Sequence, residues 1–265
     1  MNSSPQVSVI TTVYNGMEYL PETVESILQQ TFQDFEYIIV DDGSTDQTLK
    51  YLEQINDSRV NVVSLPHSGR GIALNVGIKH CRSEYIAILD ADDVASKIRL
   101  STQYDFMSKN SKISVLSSRC SVNQGSISKY LVSENFKFQE IKLAEFIKHN
   151  PVCHSSAMIR LSALKEVENY NDMRTVLFDY DLWVRLVIHK HMFVKIDLPL
   201  VFKRIHSKQS FERKNRLNYL IEATKLKFKV KQYSNNHFRE YLYIYCSFLY
   251  GLIPISIRKK LMNLL

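Results

Sequence analysis

Five short runs rich in Val, Ile, Leu and Tyr recur through the first 120 residues, at 7–12, 37–40, 60–65, 85–89 and 113–118. Each has the length of a buried strand rather than of a helix. Between them lie segments of helical length and period, at 21–30, 45–56, 69–80 and 97–109. Pro21 and Glu22 open the first of these, with Val24, Ile27 and Leu28 on one face. Ser44-Thr45-Asp46-Gln47 has the form of a capping box and predicts the start of the second. Strands alternating with helices at this spacing predict an α/β fold whose parallel sheet is covered on both faces.

In such a sheet, ligands bind in the crevice beyond the carboxyl ends of the strands, so the loops there should carry the chemistry. The most acidic follows Tyr85-Ile86-Ala87-Ile88-Leu89 and reads Asp90-Ala91-Asp92-Asp93. Three close carboxylates repel one another unless they share a cation. Hard oxygen donors suit Mg2+ or Mn2+, which bind one or two carboxylates together with substrate phosphates. The competing reading is an acidic turn ahead of a helix. Two further loops align with this one, Thr12-Val13-Tyr14-Asn15 and Asp41-Asp42-Gly43-Ser44. A Tyr can stack on a nucleobase, and a carboxylate can accept its ring N–H. Singly, each loop could be an ordinary turn or cap; in this order, all three can face one crevice.

The chain of 265 residues can bury a full core, and 45% hydrophobic with 23% charged residues is a globular composition. The opening residues lead straight into the first strand with no apolar leader, so no secretory signal is expected. Cys81, Cys120, Cys153 and Cys246 are scattered without a CxxC pair. That pattern predicts reduced thiols in a cytosolic protein and argues against a cysteine-based metal site. The net charge of +7 is uneven: from Lys203 onward 14 Lys/Arg face three Glu, a surplus of +11, which leaves −4 for residues 1–202.

The motifs together resemble the family 2 glycosyltransferases, which have the GT-A nucleotide-sugar fold, a Rossmann-like, mostly parallel sheet flanked by helices. The resemblance rests on Val7-Ser8-Val9-Ile10-Thr11-Thr12-Val13-Tyr14-Asn15, Val40-Asp41-Asp42-Gly43-Ser44-Thr45-Asp46, Gly69-Arg70-Gly71-Ile72-Ala73-Leu74-Asn75-Val76-Gly77 and Leu89-Asp90-Ala91-Asp92-Asp93. Asn150-Pro151-Val152-Cys153-His154-Ser155-Ser156, Asp179-Tyr180-Asp181-Leu182-Trp183 and Arg204-Ile205-His206 with Ser210 extend it over roughly residues 5–210. Several motifs in one order make a chance match remote. The resemblance implies that Thr12, Tyr14 and Asp42 hold the uridine base and that Asp90 faces the ribose or donor sugar. It implies that Asp92 binds a divalent metal, Mn2+ or Mg2+, with His206 reaching that metal or the phosphates. It further implies that Asp179 is the catalytic base, that Arg70 and Asn75 approach the donor, and that His154 lies on the acceptor side.

An inverting transfer needs one carboxylate to take the acceptor hydroxyl proton, and a leaving diphosphate needs no protonation where a metal balances its charge. Asp179 and a metal therefore suffice. Phe178 stands where the family commonly has an acidic residue, which leaves a helper acid in question. Asp181 competes with Asp179, but on a helix the two point about 200° apart. His206 could instead be a strand-end histidine. His154 beside Ser155 and Ser156 invites a hydrolase reading, yet no GxSxG elbow is present. Trp183 reads as core. Gly69-Arg70-Gly71 is not a P-loop, though the helix it opens could lie near a phosphate.

Residues 1–210 thus predict a catalytic domain, and 211–265 a basic, aromatic helical extension. An uncharged run from Tyr241 to Ile257, followed by Arg258-Lys259-Lys260, is interrupted by Pro254 and rich in Tyr. That suits a membrane interface better than a span, and packing on the domain or against a second copy is the alternative. The expected partners are a nucleotide-sugar donor, a glycan or lipid-linked acceptor and a membrane surface at its inner, cytoplasmic face. Nucleic acid is disfavoured because no nucleic-acid module surrounds the basic residues. The rival functions are a nucleotidyltransferase, whose Gly-rich, Arg/Lys-containing signature is missing after the first strand, and a non-catalytic nucleotide-sugar-binding scaffold.

Overall fold

The computed structural model describes residues 4–122, 136–206, 216–234, 238–254 and 257–258. The first half runs β1 (Val7–Val13), α1 (Leu20–Leu28), β2 (Phe35–Asp41), α2 (Thr48–Glu53), β3 (Val60–Ser64), α3 (Arg70–His80) and β4 (Tyr85–Ile88). It continues through β5 (Val94–Ala95), α4 (Arg99–Lys109) and β6 (Ile113–Ser121). The second half contains β7 (Phe138–Ile141), α5 (Leu143–Lys148), a 3-10 turn at His154–Ser156, β8 (Met158–Arg160), α6 (Leu161–Glu166), α7 (Phe178–Ile188) and β9 (Met192–Phe202). Two helices close the chain, α8 (Arg216–Lys231) and α9 (Phe238–Leu252).

The strands form one sheet in the order β3-β2-β1-β4-β8-β6-β9-β5, with β7 paired to β9. The expected parallel pairing holds for β3, β2, β1 and β4, and again between β6 and β9. It fails at β5 and β7, each antiparallel to β9, and at β8, which runs antiparallel to both β4 and β6. For β8 the reason is geometric: it follows directly on the 3-10 turn beside the carboxyl end of β4, so the chain enters the sheet from that end.

The two-residue alternation of a strand sorts β4 between two cores. Tyr85, Ala87 and Leu89 join Leu20, Val24, Ile27 and Leu100 on one face, while Ile86 and Ile88 join Leu74, Trp183 and Leu186 on the other. Every one of these side chains is at most 5% exposed. Burial of each aliphatic side chain of this size stabilises the fold by roughly 1.5–3 kcal/mol, so the central strands are held from both sides. Helix α3 lies close on β1, because a Cβ added at Gly77 would stand 2.8 Å from Ile10 Cγ2.

Several local expectations need correction. The sequence that resembles a capping box does not start a helix, because its groups reach across to Asn15. Ser44 Oγ accepts the Asn15 backbone N–H at 2.9 Å, and Asn15 Oδ1 accepts that of Thr45 at 2.7 Å. Helix α2 begins only at Thr48, whose N–H donates to Asp46 Oδ1 at 2.9 Å. Ahead of the 3-10 turn, the chain forms the strand β7 and then the short helix α5. β7 is drawn into the sheet by pairing with β9, and Glu145 Oε1 accepts the Lys142 N–H to start the helix. The cysteines also depart from expectation. Cys120, near the end of β6, and Cys153, just before the 3-10 turn, are joined in a disulfide, while Cys81 and Cys246 are free. The pair lies 33 residues apart in sequence, and the antiparallel return of β8 along β6 brings it together.

The carboxy-terminal helices pack on the second half. Leu226 and Val230 of α8 and Ile244 of α9 are buried in the same core as Trp183. Along α9, Tyr241, Leu242, Tyr245 and Leu249 are exposed, with the Tyr241 and Tyr245 rings also touching Phe228 of α8. Among the described residues, no helix is long and apolar enough to cross a membrane. Ser210, Lys259 and Lys260, and most of 121–137, lie outside the described residues.

Candidate active site

The crevice is built from the loops after β1, β2 and β4, as their parallel order requires. After β1, Tyr14 is 47% exposed and stacks on His67, with ring centroids 4.1 Å apart. Thr12 is half-buried at the end of the same strand. After β2, Asp42 is buried. Its Oδ1 accepts the Ser68 N–H at 2.8 Å, its Oδ2 accepts that of Gly69 at 3.0 Å, and His67 Nδ1 lies 3.1 Å from Oδ2. Asp42 therefore ties down the loop that presents His67, a contact its sequence position did not reveal. Gly43 makes the turn possible: its φ is +75°, and an added Cβ would stand 2.5 Å from the His67 backbone nitrogen.

The loop after β4 gathers the acids. Ligand oxygens of Asp90, Asp92 and Asp93 all lie within 4.8 Å of one another. His206 joins them from the segment after β9, with Nε2 2.9 Å from Asp92 Oδ2. Burial raises the pKa of Asp93, and the charges of Asp90 and Asp92 raise it further, to about 7. Its buried Oδ2 has no hydrogen-bond partner, while the Arg204 N–H donates to Oδ1 at 3.2 Å. Burial also works against the Asp90 charge, yet Arg70 and His154 outweigh it and hold its pKa well below the usual carboxylate range. A cluster of hard oxygens with an imidazole beside it, an unpartnered buried oxygen and a charge shortage fits a divalent cation.

Arg70, at the first turn of α3, joins this cluster to the start of α7. It pairs with Asp90 and lies 5.0 Å over the Phe178 ring. Burial opposes its charge, but Asp90, Asp179 and Asp92 raise its pKa above the ordinary arginine value. Arg70 thus spans from Asp90 of the acidic cluster to Phe178 at the start of α7. Beneath them lies Arg99, fully buried, donating to the Ile88 carbonyl at 2.7 Å. Burial pulls its pKa down to about 10, against the attraction of Asp93 and Asp90.

Asp179 and Asp181 diverge as helix geometry demands. Asp181 is buried in a structural clasp, accepting from Arg174 Nε at 3.0 Å and Arg185 Nε at 2.8 Å. Asp179 is half-buried, and its Oδ2 accepts from Asn150 Nδ2 at 2.9 Å. Two sequence expectations meet unexpected surroundings. Asn75 spends its amide on the Tyr170 backbone, with bonds of 2.8 and 3.0 Å, and so clamps the segment before α7. His154 is 8% exposed and bridges Asp90, at 3.3 Å from Nδ1, to the Tyr170 hydroxyl, at 2.9 Å from Nε2. Both side chains therefore face protein groups.

A cavity of about 380 Å3 opens beside the acids, lined by Tyr19, Val122, Phe202, Arg204, Ile205 and His206. A second, of about 400 Å3 between Phe106, Lys112, Phe138 and Met192, lies at the start of β6, away from these acids at the strand ends.

Residues 8–168 match the family described as Glycosyl transferase family 2. An uncharacterized glycosyltransferase of Methanocaldococcus jannaschii is 34% identical over 262 residues, covering 94% of this chain and 87% of its own. The putative glycosyltransferase EpsE of Bacillus subtilis is 27% identical over 281 residues, covering 99% and 97%. Among solved structures, S. aureus TarS 1–349 in complex with UDP-GlcNAc aligns with a TM-score of 0.70 at 21% identity, over 93% of this chain and 72% of that one. Mannosyltransferase PcManGT from Pyrobaculum calidifontis, in complex with GDP-Man and Mn2+, aligns at 0.68 and 15% identity, over 95% and 73%. These neighbours share the GT-A fold. With a family match over more than half its length and a relative this similar across nearly all of it, the chain belongs to glycosyl transferase family 2.

Proposed function

We propose that the chain is an inverting glycosyltransferase that moves a sugar from a UDP-linked donor to a hydroxyl of a glycan or lipid-linked acceptor. The observation that carries this reading is Arg70, which pairs with Asp90 of the acidic cluster and lies 5.0 Å over the ring of Phe178, the residue before Asp179. A donor held at the cluster would then lie within reach of a base. The UDP-GlcNAc complex of TarS supports the choice of a UDP sugar.

The uridine would rest on the Tyr14 face, with Thr12 and Asp42 at its edge. Asp92, Asp93 and His206 would hold Mn2+ or Mg2+, whose charge balances that of a diphosphate. The Mn2+ in the PcManGT complex supports that assignment. Asp90, kept ionised by Arg70 and His154, would face the ribose or donor sugar. Asp179 would accept the proton of the acceptor hydroxyl as its oxygen attacks the anomeric carbon. Phe178 offers no second acid there. Residues 1–210 would form the catalytic unit. The exposed Tyr241, Leu242, Tyr245 and Leu249, with Arg258 5.4 Å over Tyr250, suit peripheral contact with the inner face of a membrane.

UDP release across a panel of UDP sugars with Mn2+ tests the reading. Release from at least one donor is expected. A protein that binds UDP with Mn2+ but releases none from any donor would be a binding scaffold instead.

A further inference from the structure

Beyond the roles given above, we propose that Asn150 is a positioning residue for the base, holding one oxygen of Asp179 so that the other is presented to the acceptor hydroxyl. The inference rests on the reading of Asp179 as base. Asn150 Nδ2 donates to Asp179 Oδ2 at 2.9 Å, and Asn150 Oδ1 accepts the Val152 N–H at 3.3 Å. That second bond assigns the amide, because a flipped side chain would set oxygen against the carboxylate and N–H against N–H.

The arm that carries Asn150 is itself fixed. Pro151 restricts the Asn150 backbone to extended conformations. Three residues on, Cys153 is tied to Cys120 of β6. His154 reaches Asp90 and Tyr170, and Ser156 Oγ both accepts from the Ser118 N–H and donates to its carbonyl, each at 3.1 Å. One short segment therefore contacts both the acidic cluster, through His154, and the base, through Asn150. The other groups acting on this region are Arg70 at the start of α3, Tyr170 before α7, and Asp90 and Asp92 after β4.

A neutral amide suits this duty better than an acid. It favours the ionised form of its partner and cannot compete for the proton that the base must take. With Phe178 where a neighbouring carboxylate could stand, the Asn150 amide is the side-chain hydrogen-bond donor found on Asp179 among the described residues. Position 179 also lies in the first turn of α7, where the free backbone N–H groups favour negative charge.

The test uses the full chain and follows UDP release against pH, with the UDP sugar that the parent turns over fastest. Asn150→Ala should lower kcat about 10- to 100-fold, the range for a lost hydrogen bond to a charged group, with the donor KM unchanged. The rising acid limb of the kcat profile should move to higher pH, because the ionised base loses a donor. Asn150→Asp keeps the volume and should move that limb further, since a second carboxylate opposes ionisation of the first. Parent-like kcat and acid limb in both variants would overturn the proposal. So would a fall in kcat that tracks thermal stability with the acid limb unmoved, the signature of a purely structural asparagine. Asp179→Asn separates the two readings. If it turns over at the parent rate, the base assignment fails and this proposal with it. If it is inactive while both Asn150 variants match the parent, only the positioning role fails.

Discussion

The two halves of the sheet deliver side chains to the crevice in different ways. In the β1–β4 half, parallel strands end at one edge, and each loop places its candidate residue within a few positions of its strand. Tyr14, Asp42 and Asp90 are all of this kind. In the β7–β9 half, strand directions are mixed, and the candidate groups sit on a helix start, a disulfide-tied segment and the stretch after β9. Asp179 meets Asn150, and His206 meets Asp92, only because these pieces pack together. Topology builds the first half of the site, and tertiary packing builds the second.

If that contrast is right, the second half should be the more fragile. Asp181→Ala leaves Arg174 and Arg185 without their shared carboxylate, and breaking a buried pair of this kind costs roughly 3–5 kcal/mol. Denaturant unfolding should show that loss, with UDP binding unchanged below the transition. A loss under 1 kcal/mol would mean the clasp adds little to the packing of α7. In the first half, Tyr14→Ala should leave stability nearly unchanged and weaken UDP binding by about 1–3 kcal/mol, the worth of one stacking contact. Titration calorimetry measures it, and parent-like affinity would move the base elsewhere. Smallest of all, Leu249→Ser on the outer side of α9 should change stability by no more than about 0.5 kcal/mol. Sedimentation with anionic vesicles should nonetheless fall, and unchanged sedimentation would leave α9 a packing helix alone.

The same contrast explains what could be read from the sequence. The alternation of strands and helices, and the carboxylates after β4, are local patterns whose spatial meaning follows from the parallel sheet. His67 was missed because its place depends on how Asp42 draws in the Ser68–Gly69 backbone. Asn150 lies 29 residues before Asp179, and nothing local marks it as a partner. Cys120 and Cys153 meet only through the antiparallel return of β8. Ser44 and Asp46 looked like a helix cap because a cap and a loop-to-loop clasp use the same short polar side chains. Arg99, read simply as part of a helix, proves to be a fully buried cation beneath the acids.

Two parts of the proposed site divide the work: the acids after β4 would hold the donor, and Asp179 would take the proton. Mn2+-dependent UDP binding and UDP release, measured together on Asp92→Ala and Asp179→Asn, test it most directly. Asp92→Ala should lose the Mn2+-dependent part of UDP binding. Asp179→Asn should bind UDP as the parent does and release it about 10²- to 10⁴-fold more slowly from the sugar donor. Parent-rate release by Asp179→Asn, or Mn2+-dependent UDP binding that survives in Asp92→Ala, would contradict the account.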